Sequence, residues 1–414
     1  MDDRISPIGR VRAICPRMTN SASDPVVIAA YVRTPMGGFQ GVFAPVKATE
    51  LGAAAVRAAV ERAGLNPQEA DQIIMGCVLP GGLGQAPARQ AGLGGGLSKS
   101  VEATTVNKMC GSGMQAAIMA HDALAAGSAD VIIAGGMESM TNAPYLMTKH
   151  RAGARIGHDT LSDSMYLDGL EDAYEPGRLM GSFAEETAKQ YQFTRADMDA
   201  FAISSLTRAR AATQSGAFAR EIAPFEVSTR RGTVLIEHDE QPMKADLEKI
   251  PTLKPAFAKD GGITAANASS ISDGAAALVM TRASVAARLG LKVVARVVAH
   301  AGHAHEPGQF ATAPVPAIQK VLKRAGWSVA DVDLFEVNEA FAVVAMGAEL
   351  ELGISRDKLN VNGGACALGH PIGASGARIL ATLLSALEAH GGKRGVASLC
   401  IGGGEATAMA VELV

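Results

Sequence analysis

Strand-like and helix-like segments alternate along this chain from residue 25 to its end. Residues 26–32 read VVIAAYV, a short apolar run that predicts a buried strand. Residues 47–64 read KATELGAAAVRAAVERAG, which predicts an alanine-rich helix that ends at a glycine. Further strands are predicted at DQIIMGCV, ATTVNKM and VIIAGGM, with a helix over 112–126 between the last two. This alternation predicts an α/β fold in which helices cover a parallel or mixed sheet.

The same order of segments returns late in the chain. Residues 56–78 and 315–340 share a helix pattern, the letters RAG, a short acidic turn and a strand pattern. The offset between Arg62 and Arg324, which begin the two RAG segments, carries Cys110 to Ile372, two residues after His370. VIIAGGM at 131–137 likewise finds a counterpart in SLCIGGG at 398–404. We therefore predict two duplicated halves whose corresponding loops face one cleft.

The region between these halves breaks the rhythm. Residues 140–271 are rich in Met, Asp, Arg and Lys and are predicted to form an inserted loop domain. The N-terminal half then comprises 25–139 and 272–290, and the C-terminal half comprises 291–414. Residues 1–24 carry several arginines but no apolar segment, so we expect a disordered extension and no secretory signal. The alternatives for this extension are a weak organellar presequence or a start site at Met18.

Composition excludes several classes of function. A chain of 414 residues, 48% hydrophobic and 19% charged, is typical of a globular protein with a large core. A net charge of -3 without a dense run of Lys and Arg argues against nucleic acid as a partner. No stretch approaches the ~18 apolar residues that span a bilayer, so no membrane partner is expected. Five scattered cysteines do not resemble a disulfide framework, which favours a reducing, cytoplasmic location.

Cys110 is the first candidate for chemistry. It lies in VNKMCGSGMQAA, at the end of a predicted strand and before a predicted helix. Unpaired N–H groups at a helix start stabilise a thiolate, so a lowered pKa of the Cys110 thiol is expected. The glycines leave room for a substrate carbonyl, with the Cys110 N–H facing a developing oxyanion. The alternative is a buried, unreactive cysteine; a dinucleotide-binding loop is disfavoured because GSG lacks the third glycine of that motif.

Three further candidates follow in the C-terminal half. His370, in GGACALGHPIGASG, could take the proton of Cys110, or could be only a structural turn residue. Cys400, in SLCIGGGEATAM, could act as acid and base, and Gly402 could donate an N–H to an oxyanion. Taken alone, Cys400 would be a buried strand residue. Asn338, in EVNEAF, offers an amide that could hold a water or polarise a carbonyl, or that simply ends a strand.

Metal binding is not expected from the histidines and cysteines. Cys366 and His370 have a spacing that some metal sites use. His300, His303 and His305 cluster in AHAGHAHEPG. Neither group supplies a convincing tetrahedral set of ligands, so the sequence predicts no metal site.

Several of these segments together resemble one known family, the thiolases, which include acetyl-CoA acetyltransferases and 3-ketoacyl-CoA thiolases. The segments are NKMCGSGMQA, GGMESM, TAANASSISDGAAAL, VNEAFA, NVNGGACALGHPIGASG and CIGGG. The resemblance extends from about Val26 to Val414. It implies a five-layered αβαβα fold of two similar halves, with a loop domain that binds coenzyme A, in a homotetramer or homodimer. It also implies reversible condensation of two acetyl-CoA to acetoacetyl-CoA through an S-acetyl-cysteine, with CoA thioesters as substrates and no cofactor.

The resemblance assigns a role to each matching residue. Cys110 would accept the acyl group, His370 would activate it, and Cys400 would act as acid and base on the second acyl-CoA. Asn338 would hold a water that forms one oxyanion hole with His370, and the N–H groups of Cys110 and Gly402 would form the other. Contacts to the substrate or to coenzyme A are expected at Ser269, which matches the serine at the pantetheine arm, and at Met180, Ala265, Arg230 and Phe341.

Three positions depart from the family pattern. Glu405 replaces a commonly uncharged residue, Cys366 replaces an aliphatic one, and Leu179 stands where some short-chain members carry histidine. Leu179 leaves the acyl-chain preference open, so a broader-chain degradative 3-ketoacyl-CoA thiolase is the alternative. A ketoacyl-ACP synthase is disfavoured because those enzymes pair the cysteine with two histidines. A non-catalytic acyl-CoA-binding or lipid-binding relative is disfavoured because the reactive cysteines and histidine are all present.

Overall fold

The structure is a computed structural model that describes residues 24–230 and 232–414. Residues 1–23, for which a disordered extension was predicted, lie outside the described residues, and so does Cys15. Arg231 lies outside them as well.

The secondary structure alternates as the sequence predicts. The strands are β1 (Val26–Arg33), β2 (Gly37–Gly38), β3 (Gln72–Gly76), β4 (Glu102–Val106), β5 (Val131–Ser139), β6 (Tyr145–Leu146), β7 (Ser162–Asp163), β8 (Phe225–Thr229), β9 (Gly232–Ile236), β10 (Ser272–Arg282), β11 (Ala295–Ala304), β12 (Leu334–Val337), β13 (Arg394–Ile401) and β14 (Glu405–Leu413). The helices are α1 (Ala48–Ala63), α2 (Pro87–Gly94), α3 (Ser112–Ala125), α4 (Met180–Tyr191), α5 (Arg195–Ser215), α6 (Glu240–Lys244), α7 (Ala283–Leu289), α8 (Pro314–Ala325), α9 (Ala342–Leu352), α10 (Ala365–Leu368) and α11 (Ser375–His390). Within the described ranges, none of these helices is both long and apolar enough to cross a lipid bilayer.

The two halves of the chain form sheets of the same order and direction. In the N-terminal half the order is β4-β3-β5-β10-β1, with β3 parallel to β4 and β5 and with β10 antiparallel to β5 and β1. In the C-terminal half the order is β12-β13-β14-β11, with β12 parallel to β13 and β14 antiparallel to both neighbours. A parallel bridge between Phe335 and Leu359 stands where the first half has β4. The sheets meet where Val27 and Ile28 of β1 pair with β11.

Three apolar cores lie between the five layers, and the central core contacts both sheets. Helices α1 and α2 pack on one face of the N-terminal sheet, and α8 and α9 pack on one face of the C-terminal sheet. Helices α3 and α11 lie between the sheets, where Met114 and Leu380 share a core with Ile132 of β5 and Leu399 of β13. The layers therefore run α, β, α, β, α, and the predicted fold class is confirmed.

Local sequence explains the ends of these elements. Helix α1 ends where Gly64 adopts a left-handed φ of 65°, a conformation that glycine takes without strain. The strand predicted over ATTVNKM is shorter than expected, because β4 ends at Val106 and the side chain of Asn107 accepts a hydrogen bond from the Met109 N–H at 2.9 Å. Cys110 follows this turn, so the prediction that it ends a strand was wrong.

The segment between the halves contributes helices α4 and α5 and the β8–β9 hairpin. Leu206 and Ala209 of α5 pack against Ala367 and Leu368 of α10, just before His370 in the chain. This contact places the segment against the part of the C-terminal half that carries the predicted site. The division at residues 139/140, 271/272 and 290/291 stays a prediction.

Candidate active site

A cavity of about 990 Å³ brings together most of the residues predicted to act. The predicted residues on its wall are Cys110, His370, Cys400, Gly402, Ser269, Met180, Ala265 and Phe341. Much of the remaining wall is apolar or aromatic and includes Tyr166, Leu167, Tyr174, Leu179, Phe257 and Phe310. Asn338 and Arg230 lie outside this wall. The structure therefore brings two thiols and an imidazole, which lie far apart in the sequence, to one cavity.

A compact turn holds Cys110. The Ser112 hydroxyl donates to the Met109 carbonyl at 2.6 Å and accepts from the Lys108 N–H at 2.8 Å, so the turn closes on itself. Met109 has a φ of 47°, in the left-handed region that side chains disfavour. A Cβ at Gly111 would lie 2.4 Å from Ile401. A side chain at position 111 would therefore have to displace Ile401 of the C-terminal half, a packing reason for the glycine that adds to the substrate access inferred from sequence.

The environment of Cys110 favours the thiol over the thiolate. Burial raises the pKa of Cys110 to about 11, although the N–H groups of Gly402 and of Cys110 itself hydrogen-bond to the sulfur and oppose the rise. The expectation of a lowered pKa was wrong because desolvation outweighs these donors and the start of α3. The same two N–H groups are the ones predicted to form an oxyanion hole, and the structure brings both to the sulfur.

His370 sits in the Gly-rich turn between α10 and α11. Its backbone N–H donates to the Ser270 carbonyl at 3.1 Å, and its ring Nδ1 lies 2.6 Å from the Ser375 hydroxyl. Ring atom Nε2 is buried and has no hydrogen-bond partner among the described residues. Burial, followed by the nearby Arg378 guanidinium, lowers the pKa of His370 to about 3. His370 is therefore a neutral imidazole with one nitrogen held and the other available.

Cys400 lies at the end of β13, before the turn of Gly402, Gly403 and Gly404. Burial and then the neighbouring Cys110 raise the pKa of Cys400 well above its usual range. Gly403 and Gly404 have φ values of 92° and 83°, which favour glycine. A Cβ at Gly404 would also lie 2.5 Å from the backbone. The glycines thus shape the turn that brings the Gly402 N–H to the Cys110 sulfur.

Asn338 follows β12 and lies behind His370. Its Nδ2 is 3.5 Å from His370 Nδ1. Its Oδ1 accepts a hydrogen bond from Arg378 at 3.1 Å. The structure therefore places Asn338 beside the imidazole, and its part in an oxyanion hole stays a prediction.

The predicted coenzyme A residues divide into two groups. Ser269 donates its N–H to the Ala340 carbonyl at 2.9 Å, which fixes it next to Phe341 on the cavity wall. The Phe341 ring meets Phe257 edge to face, with centroids 6.0 Å apart. Arg230, in contrast, occupies the exposed turn between β8 and β9. The structure does not bring Arg230 to the cavity.

The cysteine–histidine groupings considered for a metal do not form clusters in the described part of the chain. Cys366 contacts the backbone of Glu339. The cluster found in the described ranges is a different one, His121, Asp122 and His300, whose candidate ligand atoms lie within 4.8 Å of one another. Asp122 Oδ1 is 2.9 Å from a ring nitrogen of each histidine, so hydrogen bonding already accounts for this surface arrangement.

Sequence reasoning missed buried polar residues behind the cavity. Glu138 accepts N–H groups from Val78 and Leu79 of one half and from Gly373 of the other, at 2.8 to 3.1 Å. Burial raises the pKa of Glu138 to about 7. Ser375 and Arg378 were also missed, although a charged residue within an apolar run is a usable signal. Such residues are rarely buried unless they are paired.

Comparisons with known proteins point to one family. The profile described as "Thiolase, N-terminal domain" matches residues 26–284, and "Thiolase, C-terminal domain" matches residues 291–413. Acetyl-CoA acetyltransferase 2 of Arabidopsis thaliana is 49% identical over 94% of this chain and 97% of its own length. The acetyl-CoA acetyltransferase of Allochromatium vinosum is 46% identical over 94% of this chain and 99% of its own length.

A solved structure is similar over nearly the same extent. The crystal structure of the Bacillus anthracis acetyl-CoA acetyltransferase superposes with a TM-score of 0.92 at 40% sequence identity. The match covers 94% of this chain and 99% of that protein.

Proposed function

This chain belongs to the thiolase family, and we propose that it is an acetyl-CoA acetyltransferase that reversibly condenses two acetyl-CoA into acetoacetyl-CoA and CoA. The observation that carries the proposal is the meeting of Cys110, His370, Cys400 and the Gly402 N–H at one cavity. Relatives of that name match nearly the whole chain at 46% to 49% identity, which supports the same reaction here.

Cys110 and His370 carry the first half of the proposed reaction. His370 Nε2 takes the thiol proton while the Cys110 sulfur attacks the thioester carbonyl of acetyl-CoA. The N–H groups that now face the sulfur stabilise the developing oxyanion. The carbon–sulfur bond to CoA breaks, CoA leaves with the proton from His370, and Cys110 carries the acetyl group.

Cys400 carries the second half. Its thiol proton first passes to solvent, and the Cys400 thiolate then removes a proton from the methyl group of a second acetyl-CoA. The resulting enolate attacks the acetyl group on Cys110. The Cys110 sulfur leaves and takes the proton now on Cys400, which releases acetoacetyl-CoA, and the Cys400 thiolate regains a proton from solvent to restore the free enzyme. Cys110 is one cause of the raised pKa of Cys400.

The cavity wall suits the acyl and pantetheine portions of a CoA thioester. We assign Ser269, Met180, Ala265 and Phe341 to contacts with this part of the substrate, because all four line the cavity. Arg230 would reach the phosphates only if the ligand extends over the β8–β9 hairpin. The oxyanions are met by backbone N–H groups and by Asn338 with His370, so this scheme uses no cofactor. The homotetramer or homodimer and the cytoplasmic location stay predictions.

A thiolysis profile tests the function. The purified protein is given CoA and a series of substrates from acetoacetyl-CoA to a long-chain 3-ketoacyl-CoA, and kcat/KM is measured for each. We expect the highest value with acetoacetyl-CoA, and formation of acetoacetyl-CoA from acetyl-CoA in the reverse assay. A higher value with long chains would favour the broader-chain degradative thiolase. A lack of turnover with every substrate would overturn the proposal.

A further inference from the structure

Two buried residues on the first turn of α11 contact the residues assigned to catalysis. Ser375 and Arg378 are three positions apart, which places them on the same face of the helix. Neither is exposed to solvent at all. The Ser375 hydroxyl lies 2.6 Å from His370 Nδ1, and Arg378 Nη2 lies 3.1 Å from Asn338 Oδ1. The first turn of α11 therefore contacts both the His370 imidazole and the Asn338 amide.

The hydrogen bonds of Ser375 decide where the His370 proton lies. A serine hydroxyl has a single proton to donate, and Ser375 donates it to the Pro371 carbonyl at 2.9 Å. Toward His370 the serine oxygen must therefore accept, so Nδ1 carries the ring proton. In a neutral imidazole only one nitrogen is protonated. Nε2 is therefore the basic nitrogen, and it is the ring atom without a partner in the described part of the chain.

Arg378 decides the orientation of the Asn338 amide in the same way. A guanidinium donates hydrogen bonds and accepts none, so the amide atom that meets it must be Oδ1. The NH2 end then points the other way, toward His370, whose Nδ1 lies 3.5 Å away and, being protonated, accepts no hydrogen bond from it. Glu336 lies 3.8 Å from Arg378 and is also buried, which compensates the buried positive charge.

We propose that Ser375 and Arg378 are positioning residues: Ser375 holds His370 in the tautomer protonated at Nδ1, and Arg378 holds Asn338 with its NH2 group toward His370. This inference deepens the proposed function and rests on it for the roles of His370 and Asn338. Neither Ser375 nor Arg378 lines the cavity, so both act through the residues that they contact.

The tautomer is measured directly by nitrogen NMR of protein labelled in histidine, with the His370 signals assigned by their loss in His370→Asn. The wild-type protein should show the Nδ1-protonated form alone. Ser375→Ala should show a mixture of tautomers and a kcat for thiolysis lowered about tenfold, the effect of one lost hydrogen bond, with KM unchanged. Ser375→Thr keeps the hydroxyl and should restore both.

A matched control lies on the same helix. Ser385 is a buried serine of α11 outside the cavity wall, and Ser385→Ala should leave the tautomer and kcat at wild-type values. The Ser375 assignment is overturned if Ser375→Ala keeps the single tautomer, or if Ser385→Ala lowers kcat as much. The NMR measurement needs no turnover, so its result does not depend on the proposed function. The proposed function would fail separately, by a lack of thiolysis by the wild-type protein.

The role of Arg378 is tested by its dependence on Asn338. Arg378→Gln combined with Glu336→Gln removes both buried charges together, which guards against misfolding, and Arg378→Lys keeps the charge. The double variant Arg378→Gln/Glu336→Gln should lower kcat about tenfold in the wild-type background and leave it unchanged in the Asn338→Ala background. Arg378→Lys should recover part of the loss. Equal losses in both backgrounds would overturn the assignment, since a merely structural role does not depend on Asn338.

Discussion

Lys108 and Glu405 form an ion pair that joins the turn before Cys110 to the strand after the Gly402–Gly404 turn. The pair connects the two halves of the chain at positions two residues from Cys110 and three residues from Gly402 in sequence. The side chains are 28% and 38% exposed, so solvent screens their attraction. Glu405 is also one of the positions where the sequence departs from the thiolase pattern.

Glu405→Gln should have a small effect that depends on salt. Exposed ion pairs contribute ~0–1 kcal/mol, so we expect kcat/KM to fall no more than about fivefold. The difference from wild type should shrink as sodium chloride is raised, and Lys108→Met should add nothing to it. A larger loss that persists in high salt would mean that Glu405 acts by something other than this pairing.

The reactivity of Cys110 toward iodoacetamide should keep rising with pH. Only the thiolate reacts, and a thiol pKa of about 11 means that the thiolate fraction grows until that pH is reached. The rate is followed by mass spectrometry of the peptide that contains Cys110, with Cys110→Ala as the control. A rate that levels off below pH ~8, as for a thiolate paired with an imidazolium, would contradict the neutral resting state.

The sequence predicted the alternating strands and helices and the two similar halves because each carries a local or repeated signal, whereas the five layers were implied by the resemblance to the thiolases. The repeat pointed to the facing loops of Cys110 and His370, and glycine-rich turns marked Gly402. The pKa of Cys110 was mispredicted because burial depends on the opposite half, which no local pattern describes. The hydrogen-bond partners of Ser375 and Arg378 were not predictable for the same reason, since they are set by tertiary contacts.

Gly376→Ala should destabilise the contact between α3 and α11. A Cβ at Gly376 would lie 2.2 Å from the backbone nitrogen of Met114, which cannot move aside as a flexible side chain can. Overpacking of this kind costs about 1–3 kcal/mol, measured as the free energy of unfolding in urea. Gly302→Ala is the matched control, because its Cβ would meet only an atom 3.8 Å away. Similar losses for both variants would contradict the close approach of the helices.

Arg33→Met should be among the most destabilising changes in the chain. Arg33 is fully buried, forms two hydrogen bonds to Asp239 at 2.6 and 2.9 Å, and also pairs with Glu221. Its loss leaves two carboxylates buried and unpaired, which costs about 3–5 kcal/mol. Arg288→Met removes only an exposed ion pair with Asp130 and should stay within about 1 kcal/mol of wild type in thermal unfolding. Equal shifts would show that the buried pairs do not support the fold.

Cys400→Ala should separate the two halves of the reaction. Acetyl transfer to Cys110 does not involve Cys400 in the scheme, whereas formation of the enolate does. We expect condensation and thiolysis to fall by about two orders of magnitude or more, as for loss of a general base. Exchange of labelled CoA into acetyl-CoA should continue near the wild-type rate. Parallel loss of exchange and condensation would refute this division of roles.

The acetyl group that Cys110 receives can be trapped when the second half of the reaction is blocked. The Cys400→Ala variant is incubated with acetyl-CoA, quenched in acid and digested, and the acetylated residue is located by peptide mass spectrometry. We expect one acetyl group on the peptide that contains Cys110, and none after Cys110→Ala in the same background. An unmodified Cys110 peptide, or an acetyl group that persists elsewhere in the chain without Cys110, would contradict this role of Cys110.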